Sequence, residues 1–220
     1  MARDATFEHH AARYDAWFEQ HGAVYISELL ALRPFVPLQG RGLEIGVGSG
    51  RFAAPLGVQA GIDPSQAMLE RARERGVETF QGVAEHLPFE DDSFDYALVV
   101  TTICFVDSPS AMLAEARRVL KPGGTLVIGF IDRESPLGQA YQAHKAESVF
   151  YREATFHSAD EVERLLLEAG FSIEAWAQTL SRPLDQAPDI EALRPGRGAC
   201  AFVVVQARND RREIAPPATT

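Results

Sequence analysis

Cysteine, basic charge and long apolar runs are all scarce in this chain. With only Cys104 and Cys200, there is no disulfide framework and no room for a cysteine-rich metal site. His9, His10 and His21 have no second cluster of ligands to join, so no metal is expected. Lysine and arginine together number 21 against 31 acids, a formal charge of −10 that argues against a polyanion such as DNA or tRNA as partner. The densest basic stretch, Arg71 to Arg75, is interleaved with Glu70 and Glu74 at helical spacing and reads as a solvated helix face. No apolar run reaches membrane-spanning length, and Met1 to Thr6 lack the apolar core of a signal peptide. The expected setting is cytoplasmic, with a small-molecule substrate, no membrane, and a monomer or homodimer.

What is present is alternation. Residues 7–33 read as one or two amphipathic helices, with Ala11, Tyr14 and Phe18 on one stripe, Tyr25, Leu29 and Leu32 on another, and a break at Gly22. Strands are expected at 42–45, 58–63, 77–80, 94–100 and 125–131. The helices between them are short at 51–57, then 64–75, then one opened by Ser108-Pro109 and ended at Lys121-Pro122-Gly123-Gly124. Strands alternating with helices signal a parallel sheet covered on both faces. Pro136 to Val149 is a further helix candidate, and Ser158-Ala159-Asp160-Glu161 has the form of a capping box. Two closing strands, 171–178 and 199–207, are expected to form an antiparallel edge hairpin around an irregular excursion at 180–198. The tail from 208 to 220 is polar, contains proline, and is expected to be disordered.

The most informative stretch is Leu43-Glu44-Ile45-Gly46-Val47-Gly48-Ser49-Gly50, a strand end running into three glycines and a helix start. Glycine serves where the backbone must take a positive φ or lie against a ligand. The spacing is not that of a dinucleotide fingerprint, because Arg51 stands where its third glycine belongs, and Glu44 leads the turn. An acid there suits a ligand with a cationic or donor group. Asp63, ending the next strand, is placed to accept from a ribose diol, with a helix N-cap as its alternative role.

Four motifs in order resemble the class I S-adenosylmethionine-dependent methyltransferases, and more narrowly the ubiquinone/menaquinone methyltransferase-like group of small-molecule enzymes. They are Leu43 to Gly50, Gly61-Ile62-Asp63-Pro64-Ser65-x-x-Met68-Leu69, Ala84 to Phe89 through Ser93-Phe94-Asp95, and Glu115 to Gly124. The resemblance covers about residues 40–130. It implies a Rossmann-like doubly wound α/β fold: seven strands, mainly parallel, with an antiparallel edge hairpin and an N-terminal helical lid over residues 1–38. It also implies S-adenosyl-L-methionine as cofactor. Gly46 and Gly48 would lie against its methionine part, with Glu44 organising that pocket. Asp63 would hold the ribose hydroxyls, Ile62 and Pro64 would flank the adenine, and the Ala84 N–H would meet a ring nitrogen. Val83 replaces the family's usual aspartate, leaving adenine recognition to Glu85 or to backbone. Cys104-Phe105 replaces a common histidine pair and with it a candidate base.

Tyr14 is the lid aromatic placed over the cofactor, whose sulfonium would be favoured beside an aromatic face. The substrate wall is expected from Thr101, Thr102, Cys104 and Arg133, followed by Tyr141 and Lys145 on the next helix. If that helix lines the pocket, Arg133 and Lys145 suit an anionic acceptor. Methyl transfer from a sulfonium demands alignment more than a base, so no catalytic residue is required. A nicotinamide-dependent oxidoreductase and a non-catalytic S-adenosylmethionine-binding regulator are the alternatives.

Overall fold

The computed structural model describes residues 2–182 and 189–211. Pro183 and Pro188 of the excursion, and residues 212–220 of the expected tail, lie outside the described residues. Two helices come first, α1 (Ala2–Gln20) and α2 (Gly22–Leu32), parted just before Gly22 as expected. A kink at His10, with φ −120° and ψ 21°, divides α1 further. The α2 stripe differs from the expected one. Val24, Ser27, Glu28, Ala31 and Leu32 are buried, while Tyr25 and Leu29 are half-buried.

The central sheet is built from β1 (Gly42–Ile45), β2 (Ala60–Asp63), β3 (Glu78–Gln81), β4 (Phe94–Val100) and β5 (Leu120–Ile131), all parallel. Three strands, β6 (Phe171–Thr179), β7 (Arg194–Pro195) and β8 (Phe202–Asn209), extend it antiparallel. The order is β3-β2-β1-β4-β5-β8-β6-β7, eight strands rather than the expected seven. The eighth is two residues of the excursion, which pair with Gln178 and Ala177 because proline is tolerated at a sheet edge. The closing pair lies as expected, with β8 inserted between β5 and β6. Arg208 and Asn209 belong to β8, and the buried Asn209 amide donates to the carbonyls of Arg117, Leu120 and Lys121.

The remaining helices are α3 (Ala53–Leu56), α4 (Gln66–Glu74), α5 (Pro109–Val119), α6 (Pro136–His144) and α7 (Ala159–Glu168). Local chemistry sets their ends. Ser65 caps α4 by accepting from the Met68 N–H, and Ser108 caps α5 with Pro109 in the first turn. The capping box at Ser158 and Glu161 is fully formed. Along β4, Tyr96, Leu98 and Val100 join an apolar layer with α1 to α4, while Ala97 and Val99 join the opposite layer with α5 and α7. Both faces are covered, which accounts for the near-continuous apolar run. Among the described residues no helix is long and apolar enough to cross a membrane.

The strand order runs outward from β1 to β3 on one side and from β4 to β5 on the other, so the winding reverses between β1 and β4. A crevice opens there at the carboxyl ends of the strands.

Candidate active site

The glycine turn after β1 is held from below. Gly46 and Val47 both donate to the Ile62 carbonyl, at 2.8 and 2.9 Å. Gly46 has φ +75°, and a Cβ there would lie 2.3 Å from the Thr102 side chain, whose hydroxyl donates to the Gly46 carbonyl. Only glycine fits. The Gly48 N–H donates to Asp63 Oδ2 at 2.9 Å, and the Ser65 N–H donates to Oδ1 at the same distance. Asp63 therefore joins the turn to the start of α4, and Ser65 takes the N-cap role that Asp63 could have filled.

Glu44 is buried beneath the turn. Burial pushes its carboxyl well above the usual range; a backbone N–H from Ala53 opposes this and the charge of Asp63 adds to it. Among the described residues, its Oε2 has no hydrogen-bond partner.

A cavity of about 280 Å³ lies over these groups. Gly46, Gly48, Asp63, Pro64, Ala84, Glu85, Thr101 and Thr102 line it, and α1 roofs it with Phe7 and Tyr14. Of the cofactor residues picked from sequence, only the buried Glu44 does not reach its wall. Glu85 Oε1 also accepts from the N–H groups of Asp107 and Ser108, at 2.7 and 3.2 Å, so it ties the 82–86 loop to the start of α5. Thr101 holds φ +51°, unusual for a β-branched residue, with its N–H bonded to the Gly129 carbonyl.

A second cavity, of about 70 Å³, adjoins the first and shares Phe7, Tyr14, Thr101 and Phe105 with it. Its other walls include Trp17, Glu28, Tyr141, Phe150 and Tyr151. Tyr14 packs edge-on to Phe7, Phe18 and Phe150, with centroids 5.7, 5.1 and 5.7 Å apart. Burial, then the charges of Glu44, Asp63 and Glu28, push the Tyr14 hydroxyl far above its ordinary value.

Arg133, Lys145 and Cys104 line neither cavity. Arg133 donates to Glu161 at 2.8 Å, Lys145 Nζ donates to the Ala154 carbonyl at 3.2 Å, and the buried Cys104 thiol donates to the Thr101 carbonyl at 3.1 Å. Tyr141 does line the second cavity. Glu28, Phe150 and Tyr151 were not picked from sequence. An acid on the buried stripe of α2 was the available signal for Glu28.

The profile of a family described as "Methyltransferase domain" matches residues 43–128, which spans the glycine turn through β5. A solved structure from Thermotoga maritima, described as a SAM-dependent methyltransferase, "possible histamine N-methyltransferase", superposes with a TM-score of 0.91. It is 46% identical, over 94% of this chain and 99% of that one. The chain belongs to the S-adenosylmethionine-dependent methyltransferases. An uncharacterized protein of Methanocaldococcus jannaschii is 42% identical over 91% of this chain and 97% of its own length. A demethylmenaquinone methyltransferase of Staphylococcus aureus is 31% identical over 55% of this chain and 60% of its own.

The cofactor of this methyltransferase is S-adenosylmethionine, and the larger cavity has the features that such a ligand needs. Beneath the glycine turn that forms part of its wall, the buried Glu44 Oε2 has no hydrogen-bond partner among the described residues. Gly48, at φ +50°, keeps a Cβ out of the space before the Tyr14 ring, which such an atom would approach to 3.8 Å.

Proposed function

We propose that this methyltransferase moves a methyl group by in-line displacement from S-adenosylmethionine in the larger cavity to a small-molecule acceptor in the smaller one. The observation that carries this reading is the shared wall. Tyr14 and Thr101 border both cavities, so the two sites meet where a methyl group would pass.

The sulfonium of the cofactor supplies a methyl group that is already activated towards a nucleophile. The residues of this chain would bind and align. Asp63 accepts from the ribose hydroxyls, Ile62 and Pro64 flank the adenine, and the 82–85 backbone meets its edge. Glu44 orders the turn at the methionine end. Tyr14 closes the site from α1 and excludes water, which strengthens every electrostatic contact within. No basic group is needed unless the acceptor arrives protonated. The chain's charge of −10 and the small volume of the second cavity, about 70 Å³, support a small acceptor over a nucleic acid, in a cytoplasmic setting.

Calorimetry with S-adenosylmethionine and its demethylated product, followed by labelled methyl transfer to phenols, carboxylates, thiols and amines, tests this. Saturable binding and transfer to one class are expected. Tight binding without transfer to any class would leave a cofactor-binding regulator instead.

A further inference from the structure

Glu28 is the one acid among the described residues in the wall of the second cavity, and it is 5% exposed. Among the described residues no donor or counter-ion meets its carboxyl, and burial alone pushes it up to about 8. The groups that face it are rings. The charge of Glu28 is felt at the hydroxyls of Tyr14, Tyr141 and Tyr151, which come from α1, α6 and the segment after α6. Tyr141 and Tyr151 lie 5.0 Å apart, and Tyr151 stacks on Phe105 at 5.8 Å. Among the described residues no lysine, arginine or histidine lines this cavity. Arg133 and Lys145 are bonded elsewhere.

A buried, unpaired carboxyl among aromatic faces is costly alone and favourable beside a cation. The cation restores its ionised form, and the negative faces of the rings add to the attraction. An anionic acceptor gains no counter-charge there and can only hold the carboxyl in its neutral form. We infer that the acceptor is a small amine, bound with its ammonium against the Glu28 carboxylate within the aromatic walls of the second cavity; Glu28 takes the N–H proton, the freed nitrogen lone pair attacks the methyl carbon, and the C–S bond breaks to leave S-adenosylhomocysteine. This rests on the reading that methyl transfer takes place between the two cavities.

The experiment is calorimetry on protein loaded with S-adenosylhomocysteine, titrated with benzylamine and 2-phenylethylamine, the matching alcohols, and the matching carboxylates. The amines are expected to bind about tenfold or more tighter than the alcohols, and the carboxylates more weakly than either. Glu28→Gln should bring amine and alcohol to within about twofold while S-adenosylhomocysteine affinity stays within about twofold of the wild type. Glu28→Asp, which keeps the charge, should recover part of the preference. Thermal melts check that both variants are folded. An amine preference that survives Glu28→Gln, or wild-type protein that does not prefer amines, overturns the inference. Labelled transfer to phenols, carboxylates or thiols but to no amine would overturn it and leave the methyl-transfer reading standing. Failure of wild-type protein to bind S-adenosylhomocysteine overturns both.

Discussion

Arg51 Nε donates to Asp15 Oδ1 at 2.8 Å, joining the residue that follows the glycine turn to the helix that roofs the cofactor cavity. The same carboxylate accepts from the Ser49 hydroxyl at 2.9 Å and from Arg75 Nη2 at 2.6 Å, so one acid on α1 gathers the turn and α4 beneath it. The arginine that breaks the dinucleotide spacing is thus the anchor of the roof.

Removing that charge should loosen the roof and weaken the fold together. Burial disfavours ionised Asp15, but hydrogen bonds from Arg51, Arg75 and Ser49 outweigh it and hold the carboxyl at about 2, below its ordinary 3.8. A depressed acid stabilises the fold above its unfolded value and loses that contribution as pH falls from about 4 to about 2. Asp15→Asn should therefore cost about 2 kcal/mol at pH 7, and the gap should close only as pH falls to about 2 and below. Urea melts across pH would read this. A gap independent of pH would mean that the charge of Asp15 is not what holds α1.

Glu28 should show the opposite sign. Its folded value of about 8 lies above the ordinary 4.5, so the native state holds the proton more tightly than the unfolded chain does. Stability should then fall as pH rises from about 5 to about 8, by at most about 5 kcal/mol. Glu28→Gln carries no charge to bury and should melt above the wild type at pH 8 and level with it at pH 5. The neighbouring titratable groups, Tyr14, Tyr141 and Tyr151, are all raised by burial and stay neutral through this window. Identical melting curves for the two proteins at pH 8 would contradict this assignment.

Cofactor affinity should depend on Asp63 through both of its oxygens. Asp63→Ala frees the Gly48 and Ser65 N–H groups and removes the ribose acceptor, and should weaken S-adenosylhomocysteine binding about 100-fold or more. Asp63→Asn keeps one acceptor and should lose less. Equal affinity in calorimetry for wild type and Asp63→Ala would remove Asp63 from the cofactor site.

Legibility followed the range of the interactions. The capping box, the Ser108-Pro109 helix start and the glycine turn are written within a few consecutive residues, and each formed as read. The parallel sheet was legible because burial on both faces leaves an apolar run such as Phe94 to Val100. The second cavity was not, since Glu28, Tyr141 and Tyr151 are over 100 residues apart in part and meet only through packing of α2 against the segment after α6. Arg133 and Lys145 misled for a related reason. A basic side chain looks the same in sequence whether it lines a pocket or bonds to Glu161 and a loop carbonyl. The two-residue β7 carries no periodicity long enough to announce a strand.

Cys104 replaces a histidine familiar from related enzymes, yet its thiol faces the Thr101 carbonyl and lines neither cavity. Cys104→Ala should keep turnover within about twofold and cost about 1 kcal/mol from lost packing. A large fall in kcat at unchanged melting temperature would place the thiol in the chemistry.

The two glycines of the turn should separate folding from binding. A Cβ at Gly46 would lie 2.3 Å from Thr102, in a backbone conformation that already disfavours side chains, so Gly46→Ala should cost roughly 3 kcal/mol or more. At Gly48 the nearest atoms to such a Cβ belong to the Tyr14 ring at 3.8 Å, an ordinary contact. Gly48→Ala should then cost only about 1 kcal/mol, from its φ of +50°. Because Gly48 lines the larger cavity, the added methyl occupies cofactor space, and S-adenosylhomocysteine affinity should fall about tenfold or more. Melting and calorimetry on the pair read both quantities. If Gly48→Ala binds the cofactor normally, the turn approaches the ligand elsewhere, and Gly48 is there for its backbone angle alone.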